Sequence, residues 1–178
     1  MSIPEHESKL ECLPVFDDHH GRPEVWSGLK VEGLVHNPTV LTEADLANLT
    51  QTSLTDDFRC VEGWSVPDQD WGGVPLSALL DMVGPLPDAR FAAISAADYS
   101  VTVPLDDEAS SILLATRLNG SPLSSDHGGP CRLVMVQQAC YSSVKWVDTI
   151  RLTEEMPIET AQEIAAARNA SRGPATTP

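Results

Sequence analysis

Short apolar runs, each closed off by Gly, Pro, Asn or Asp, recur along the chain and constrain its fold more than any other feature. Phe91 to Ile94, Ser100 to Val103, Ile112 to Leu118 and Leu133 to Val136 are four of them. Runs this short, ending at turn-formers, fit strands better than helices. Between Val25 and Val35, the residues Leu29, Val31, Gly33 and Val35 alternate with Lys30, Glu32 and Leu34, which predicts a further strand. Phe58 to Val61 reads the same way, as does Val144 to Leu152, with Trp146 and Ile150 on one face.

Helical signals are few. Thr42 suits the N-cap of a short helix from Glu43 to Leu49, with Asp45 in the first turn, where the helix dipole favours a carboxylate. Pro75 suits the first turn of a second helix. Leu76, Leu79, Leu80 and Val83 then fall at i, i+3, i+4 and i+7, and Gly84 supplies a stop. The stretch Pro67 to Gly73 reads as a turn-rich loop. Residues 158–168 predict a terminal helix, followed from Asn169 by a disordered tail. Strands outnumber helices in an irregular order, so the expected class is α+β, a single domain with a mixed β-sheet. The expected division is an N-terminal arm over 1–23, a folded domain over 24–155, and a C-terminal helix and tail over 156–178.

The 178 residues amount to about one domain. With 26 acidic and 11 basic side chains the net charge is −15, and so acidic a surface repels phosphate backbones and argues against nucleic acid as a partner. No apolar stretch approaches the roughly 18 residues that a membrane-spanning helix needs. The start, Met1-Ser2-Ile3-Pro4-Glu5-His6-Glu7, has neither a basic nor an apolar leader region, so the expectation is a cytoplasmic protein without a membrane span. Four cysteines, Cys12, Cys60, Cys131 and Cys140, form no C-x-x-C pair. Cys12, Cys131 and Cys140 read as reduced thiols buried as small hydrophobes. Cys60 differs in its company: Cys60-Val61-Glu62-Gly63-Trp64-Ser65 crowds a thiol, a carboxylate and an indole at the end of a strand.

A P-loop, a dinucleotide-type glycine turn, a G-x-S-x-G elbow and an H-E-x-x-H pair are all missing from the sequence. The other unusual segment runs from Leu118 to Trp146. It holds His127-Gly128-Gly129-Pro130, where the backbone can approach a ligand closely, and the cations Arg132 and Lys145. Composition alone favours surface ion pairs for these two. A bound anion such as a phosphate is the alternative, since an acidic chain needs local cations to hold one.

The same residues resemble the molybdopterin-binding domain of the sulfite oxidase family, from about Leu29 to Leu152. The matching pieces are Val31-Glu32-Gly33-Leu34-Val35 with Asn37-Pro38, Cys60 to Ser65, Trp71-Gly72-Gly73-Val74-Pro75-Leu76, and Asp98-Tyr99. They continue with Asn119-Gly120, Pro122-Leu123, His127 to Val134, and Ser143-Val144-Lys145-Trp146-Val147. The Cys60 to Ser65 wording is closer to the methionine-sulfoxide-reductase catalytic subunits than to sulfite oxidases proper.

The resemblance implies a fold of the sulfite oxidase molybdopterin-binding type and a role for each matching position. Cys60 would give its thiolate to molybdenum, the other soft ligands coming from the pterin dithiolene. Asp98, His127, Arg132, Ser143, Val144 and Lys145 match positions that bind the pterin and its phosphate. Glu62 matches a carboxylate near the metal and would carry a proton. The implied activity is a two-electron oxygen-atom transfer on a small S- or N-oxide or sulfite-like substrate, with electrons from a separate partner protein. A non-catalytic molybdopterin- or anion-binding module of the same fold is the alternative. Two departures stand out. Phe16-Asp17-Asp18-His19-His20 lies where the family carries F-x-R-N-H, and Met135-Val136-Gln137-Gln138-Ala139-Cys140 replaces its V-P-x-x-Y-G.

Overall fold

The computed structural model describes residues 8–15, 22–60, 63–105, 111–135 and 138–172. In chain order the strands are β1 (Ser8–Lys9), β2 (Leu29–Gly33), β3 (Thr39–Leu41), β4 (Thr52–Cys60), β5 (Trp64–Pro75), β6 (Phe91–Ala96), β7 (Tyr99–Pro104), β8 (Ile112–Leu118), β9 (Ser121–Pro122), β10 (Arg132–Met135) and β11 (Thr149–Thr153). The helices are α1 (Glu43–Asn48), α2 (Leu76–Val83) and α3 (Ala161–Arg172). The fold is α+β with two mixed sheets. In the first, β5 pairs with β4, β1 and β8, and β8 goes on to β10 and β9; in the second, the order is β3-β2-β11-β6-β7. Parallel pairings are β1 with β5 and β2 with β11. Ser8 and Lys9 thus tie part of the expected arm to the first sheet.

The sequence signals that produced elements are local ones. Leu29 and Val31 turn inward on β2 while Lys30 is exposed, and Ala92, Ile94 and Ala96 turn inward on β6. Thr42 and Asp45 form a capping box on α1: Thr42 Oγ1 accepts from the Asp45 amide at 3.2 Å, and Asp45 Oδ2 accepts from the Thr42 amide at 2.8 Å. Pro75 caps α2 from just outside the helix, and Gly84 ends it in the left-handed conformation at φ 63°.

Helix α3 runs on to Arg172, past Asn169, where the sequence predicts a disordered tail, and two expectations about strands fail. The segment Pro67 to Gly73 is not a loop but the middle of the twelve-residue β5. Its punctuating residues have other work. Asp56 pairs with Gln69 but Phe58 with Val66, so β5 gains a residue at a bulge beside Pro67, with Asp68 at φ 53°. Gly73 lets β8 come close, because a Cβ there would sit 2.1 Å from the Leu114 carbonyl oxygen. Nor is Val144 to Leu152 one strand; only Thr149–Thr153 pairs as β11. The stretch before it is irregular, with Trp146 at φ 55°. Its backbone groups serve other segments: Leu133 N–H donates to the Val144 oxygen, Trp146 N–H to Gly128 and Val147 N–H to Cys131.

The main core lies between the sheets, where Leu29, Val31, Ile94, Ile150 and Leu152 meet Leu114, Leu133 and the buried side of α2. Each such side chain is worth about 1.5–3 kcal/mol of burial. The central strand β8 is covered on both faces. Ile112 and Leu114 face the main core, while Leu113 and Ala115 join a smaller cluster with Leu13, Val66, Trp71, Leu123 and Val134. Phe58, Trp64 and Leu54 pack against that second cluster. The bulge at Asp68 makes this possible, since it restores Trp71 to the face already occupied by Trp64 and Val66. The result is an aromatic shelf on the side of the first sheet that faces away from the main core.

Candidate functional site

Cys60 ends β4 on this shelf. It lies two residues beyond Phe58, so both side chains share a face, and it pairs across the ladder with Trp64. Phe58 stacks on Trp64 with ring centroids 6.0 Å apart and meets Trp71 at 6.1 Å with the rings tilted by 50°. Cys60 itself is buried, 6% exposed, and its Sγ lies 2.9 Å from the Sγ of Cys140. Cys140 opens a 3-10 turn, Cys140–Ser142, held by Ser143 N–H donating to the Cys140 oxygen and by Tyr99 Oη donating to the Tyr141 oxygen at 2.7 Å.

Arg132, at the start of β10, reaches the same shelf. Its guanidinium carbon is 5.1 Å from the centroids of both the Phe58 and Trp71 rings, a cation held between two aromatic faces. The residue is 4% exposed, so composition misleads here: Arg132 is no surface ion pair. Nη1 donates to the His127 oxygen at 2.9 Å, and Nε is buried with no hydrogen-bond partner among the described residues. Burial pushes the guanidinium down from 12.5 to about 10, against the opposing pull of Cys140 and Tyr99, so it stays cationic at neutral pH.

A second turn, Ser125–His127, adjoins Arg132. Three side chains cap its carbonyl oxygens: Trp146 Nε1 donates to Ser125 at 2.7 Å, Lys145 Nζ to Asp126 at 2.8 Å, and Arg132 to His127. His127 is fixed by both ring nitrogens, Nδ1 to Ser124 Oγ at 3.0 Å and Nε2 to the Leu13 oxygen at 3.2 Å. Close packing demands glycine behind the turn, because a Cβ on Gly129 would sit 2.0 Å from the Leu123 oxygen.

The structure therefore gathers Cys60 and Arg132 on one shelf, with His127 on the adjoining turn and Lys145 capping that turn. Ser143 is buried beside the Cys140 turn, and the Val144 side chain lies in the main core. Asp98 is exposed in the β6–β7 turn, one residue before Tyr99. Glu62 lies outside the described residues, as do residues 16–20. Of the thiols expected to be buried, Cys131 is, and its own burial pushes it from 9.0 up to about 12. Cys12 is exposed and Cys140 half-buried, because the one sits before the buried Leu13 and the other turns toward Cys60. Residue reasoning missed Phe58 and Tyr99 as parts of the site and Cys140 as the neighbour of Cys60; the altered stretch Met135 to Cys140 was the one signal pointing there.

Residues 16–160 match the family described as oxidoreductase molybdopterin binding domain. The chain belongs to that family. The Bacillus subtilis oxidoreductase YuiH, itself uncharacterised, is 34% identical over 160 residues, covering 86% of this chain and 80% of its own. The methionine-sulfoxide-reductase catalytic subunit MsrP of Xanthomonas campestris is 33% identical over 154 residues, covering 76% of this chain and 47% of that one. Among solved structures, the sulfane dehydrogenase SoxCD of Paracoccus pantotrophus matches with a TM-score of 0.68 at 25% identity, over 75% of this chain and 39% of that chain. The chain thus spans most of YuiH but under half of the MsrP and SoxCD chains.

Membership of the molybdopterin-binding family makes the chain an oxidoreductase with molybdopterin as its cofactor. The residues present fit that group. A buried guanidinium with an orphaned Nε is costly unless an anion completes it, and the cofactor's phosphate is such an anion. A thiol at the end of a strand, close to that guanidinium, is the soft donor that molybdenum takes.

Proposed function

We propose that this oxidoreductase catalyses two-electron oxygen-atom transfer on a small S- or N-oxide or a sulfite-like substrate. The observation that carries the reading is the buried Cys60 thiol on the aromatic shelf that also holds the partly unsatisfied Arg132 guanidinium. Its Cys60 to Ser65 wording and the MsrP relative support the sulfoxide side of that range.

Molybdenum, when bound, supplies the oxygen-atom and electron chemistry. The chain's residues do the holding. Cys60 gives Sγ as a thiolate ligand. Arg132, its guanidinium set over the Phe58 and Trp71 rings, would offer Nε to the cofactor's phosphate. His127 on the adjoining turn and Lys145, which caps it, would add an imidazole and a cation, and Ser143, Val144 and Asp98 would complete the pterin contacts. Glu62, two residues past Cys60, would hold a proton for the reaction. Electrons come from a separate partner protein, and the location is cytoplasmic, which cell fractionation tests.

The experiment compares wild type with Cys60→Ser, both made in a host that synthesises molybdopterin. Molybdenum is measured by elemental analysis, and turnover of methionine sulfoxide with a reduced viologen as donor. Wild type is expected to hold stoichiometric molybdenum and turn over; the variant should fold and lose activity. Turnover by Cys60→Ser overturns the ligand role. Bound pterin with no turnover of any S- or N-oxide favours the non-catalytic binding module instead.

A further inference from the structure

We infer that Cys60 and Cys140 form a reversible disulfide site, which withdraws the proposed molybdenum ligand from the metal. The inference rests on the reading of Cys60 given above, but its chemistry stands on geometry alone.

The two sulfurs already touch at 2.9 Å across 80 residues of chain, and neither is in a disulfide. The gap to the roughly 2.05 Å of an S–S bond is under about 1 Å. Both partners sit on anchored backbone: Cys60 in the β4–β5 ladder, Cys140 on a turn fixed by Tyr99 and packed by α3. Their exposures differ in a useful way. Cys140 is half-buried and open to a small reagent, whereas Cys60 is buried behind it. Cys131 is fully buried, with a thiol held protonated, and is no competitor.

The oxidant is a small-molecule disulfide. Its sulfur is attacked by Cys140, giving a mixed disulfide and releasing one thiol. Cys60 then attacks the Cys140 sulfur, closing the Cys60–Cys140 bond and expelling the second thiol. The protein loses two protons and two electrons, and the small disulfide gains both. A Cys60 sulfur tied up in this way has no lone thiolate to give a metal, so oxidation closes the site to cofactor and a thiol reductant reopens it.

The test uses the full chain purified without cofactor and treated with oxidised glutathione. Intact mass should fall by about 2 Da, two hydrogens lost, rather than rise by a bound glutathione. Peptide mapping should join Cys60 to Cys140, and dithiothreitol should restore two alkylatable thiols. Cys140→Ser should not form the link. Stable glutathionylation of Cys140 without closure, or a link through Cys12, overturns the inference. A second arm adds molybdopterin. Oxidised wild type should take up none, while reduced wild type and oxidised Cys140→Ser take up equal amounts. Equal uptake by oxidised and reduced wild type also overturns the inference. A link that forms in protein taking up no molybdenum even when reduced leaves the disulfide standing and sinks the ligand role of Cys60.

Discussion

Arg132 donates through Nη1 to the main-chain oxygen of His127 at 2.9 Å, which ties the cation between the aromatic rings to the turn carrying the other cofactor-binding candidates. The bond fixes one end of the guanidinium and leaves Nε buried with no partner among the described residues. Arginine held like this is a cost to the fold until something anionic arrives.

That cost can be measured. Lowering the guanidinium from 12.5 to about 10 means the unfolded chain binds more protons between those values, so charged Arg132 destabilises the fold by about 3 kcal/mol below pH 10. Arg132→Met removes the cost along with the ring contacts and one hydrogen bond, each worth about 1 kcal/mol. Cofactor-free Arg132→Met should therefore melt within a few degrees of wild type, while its molybdopterin content falls at least tenfold. A collapse in melting temperature would instead make Arg132 a structural residue.

Cys131 gives a separate pH signature. Its folded value of about 12 lies above the ordinary 9.0, so the folded chain binds more protons between the two. The stability from this thiol is full below pH 9 and is lost as pH rises toward 12, at about 1.4 kcal/mol per unit. The opposing Arg132 gain begins only near pH 10. Thermal melts of wild type between pH 9 and 10 should decline, and Cys131→Ala should be flatter over that interval. Parallel slopes would refute the assignment.

Two glycines on either side of the candidate site should answer differently to alanine. Gly129→Ala drives a methyl into the Leu123 carbonyl, 2.0 Å away, and should cost about 3 kcal/mol or more with loss of bound cofactor. Gly120 has nothing within 4 Å of an added Cβ, and only its φ of 79° resists, so Gly120→Ala should cost about 1 kcal/mol and spare the cofactor. Chemical denaturation and pterin fluorescence after unfolding read both.

Where local chemistry decides an element, the sequence was readable. β8 matches its expected bounds because turn-formers close both ends, and α1 and α2 follow their caps. β5 was hidden because Pro67, Gly72 and Gly73 look like loop residues, and only pairing with β4 and β8 shows what they do. Val144 to Trp146 looked like strand because its apolar residues are buried, yet they are buried by contacts with other segments. Of the site, the unusual company of Cys60 was legible, and a role for Arg132 only through the family resemblance, since composition favoured a surface ion pair. The burial of Arg132 was not, since it depends on rings brought from β4 and β5. Nor was Cys140 beside Cys60, a proximity that exists only once two distant segments are folded together.

The bulge near Asp68 keeps β5 in phase, because side chains alternate along a strand and the bulge takes up the one added residue. Removing that one residue would turn the bulge into a regular ladder and leave Trp71 opposite Leu54, on the side it shares with Trp64 and Val66. Removing two would turn Trp71 to the opposite side and strip Arg132 of one of its two rings. The segment can therefore lose its one spare residue, and the next single step dismantles the shelf without touching a site residue.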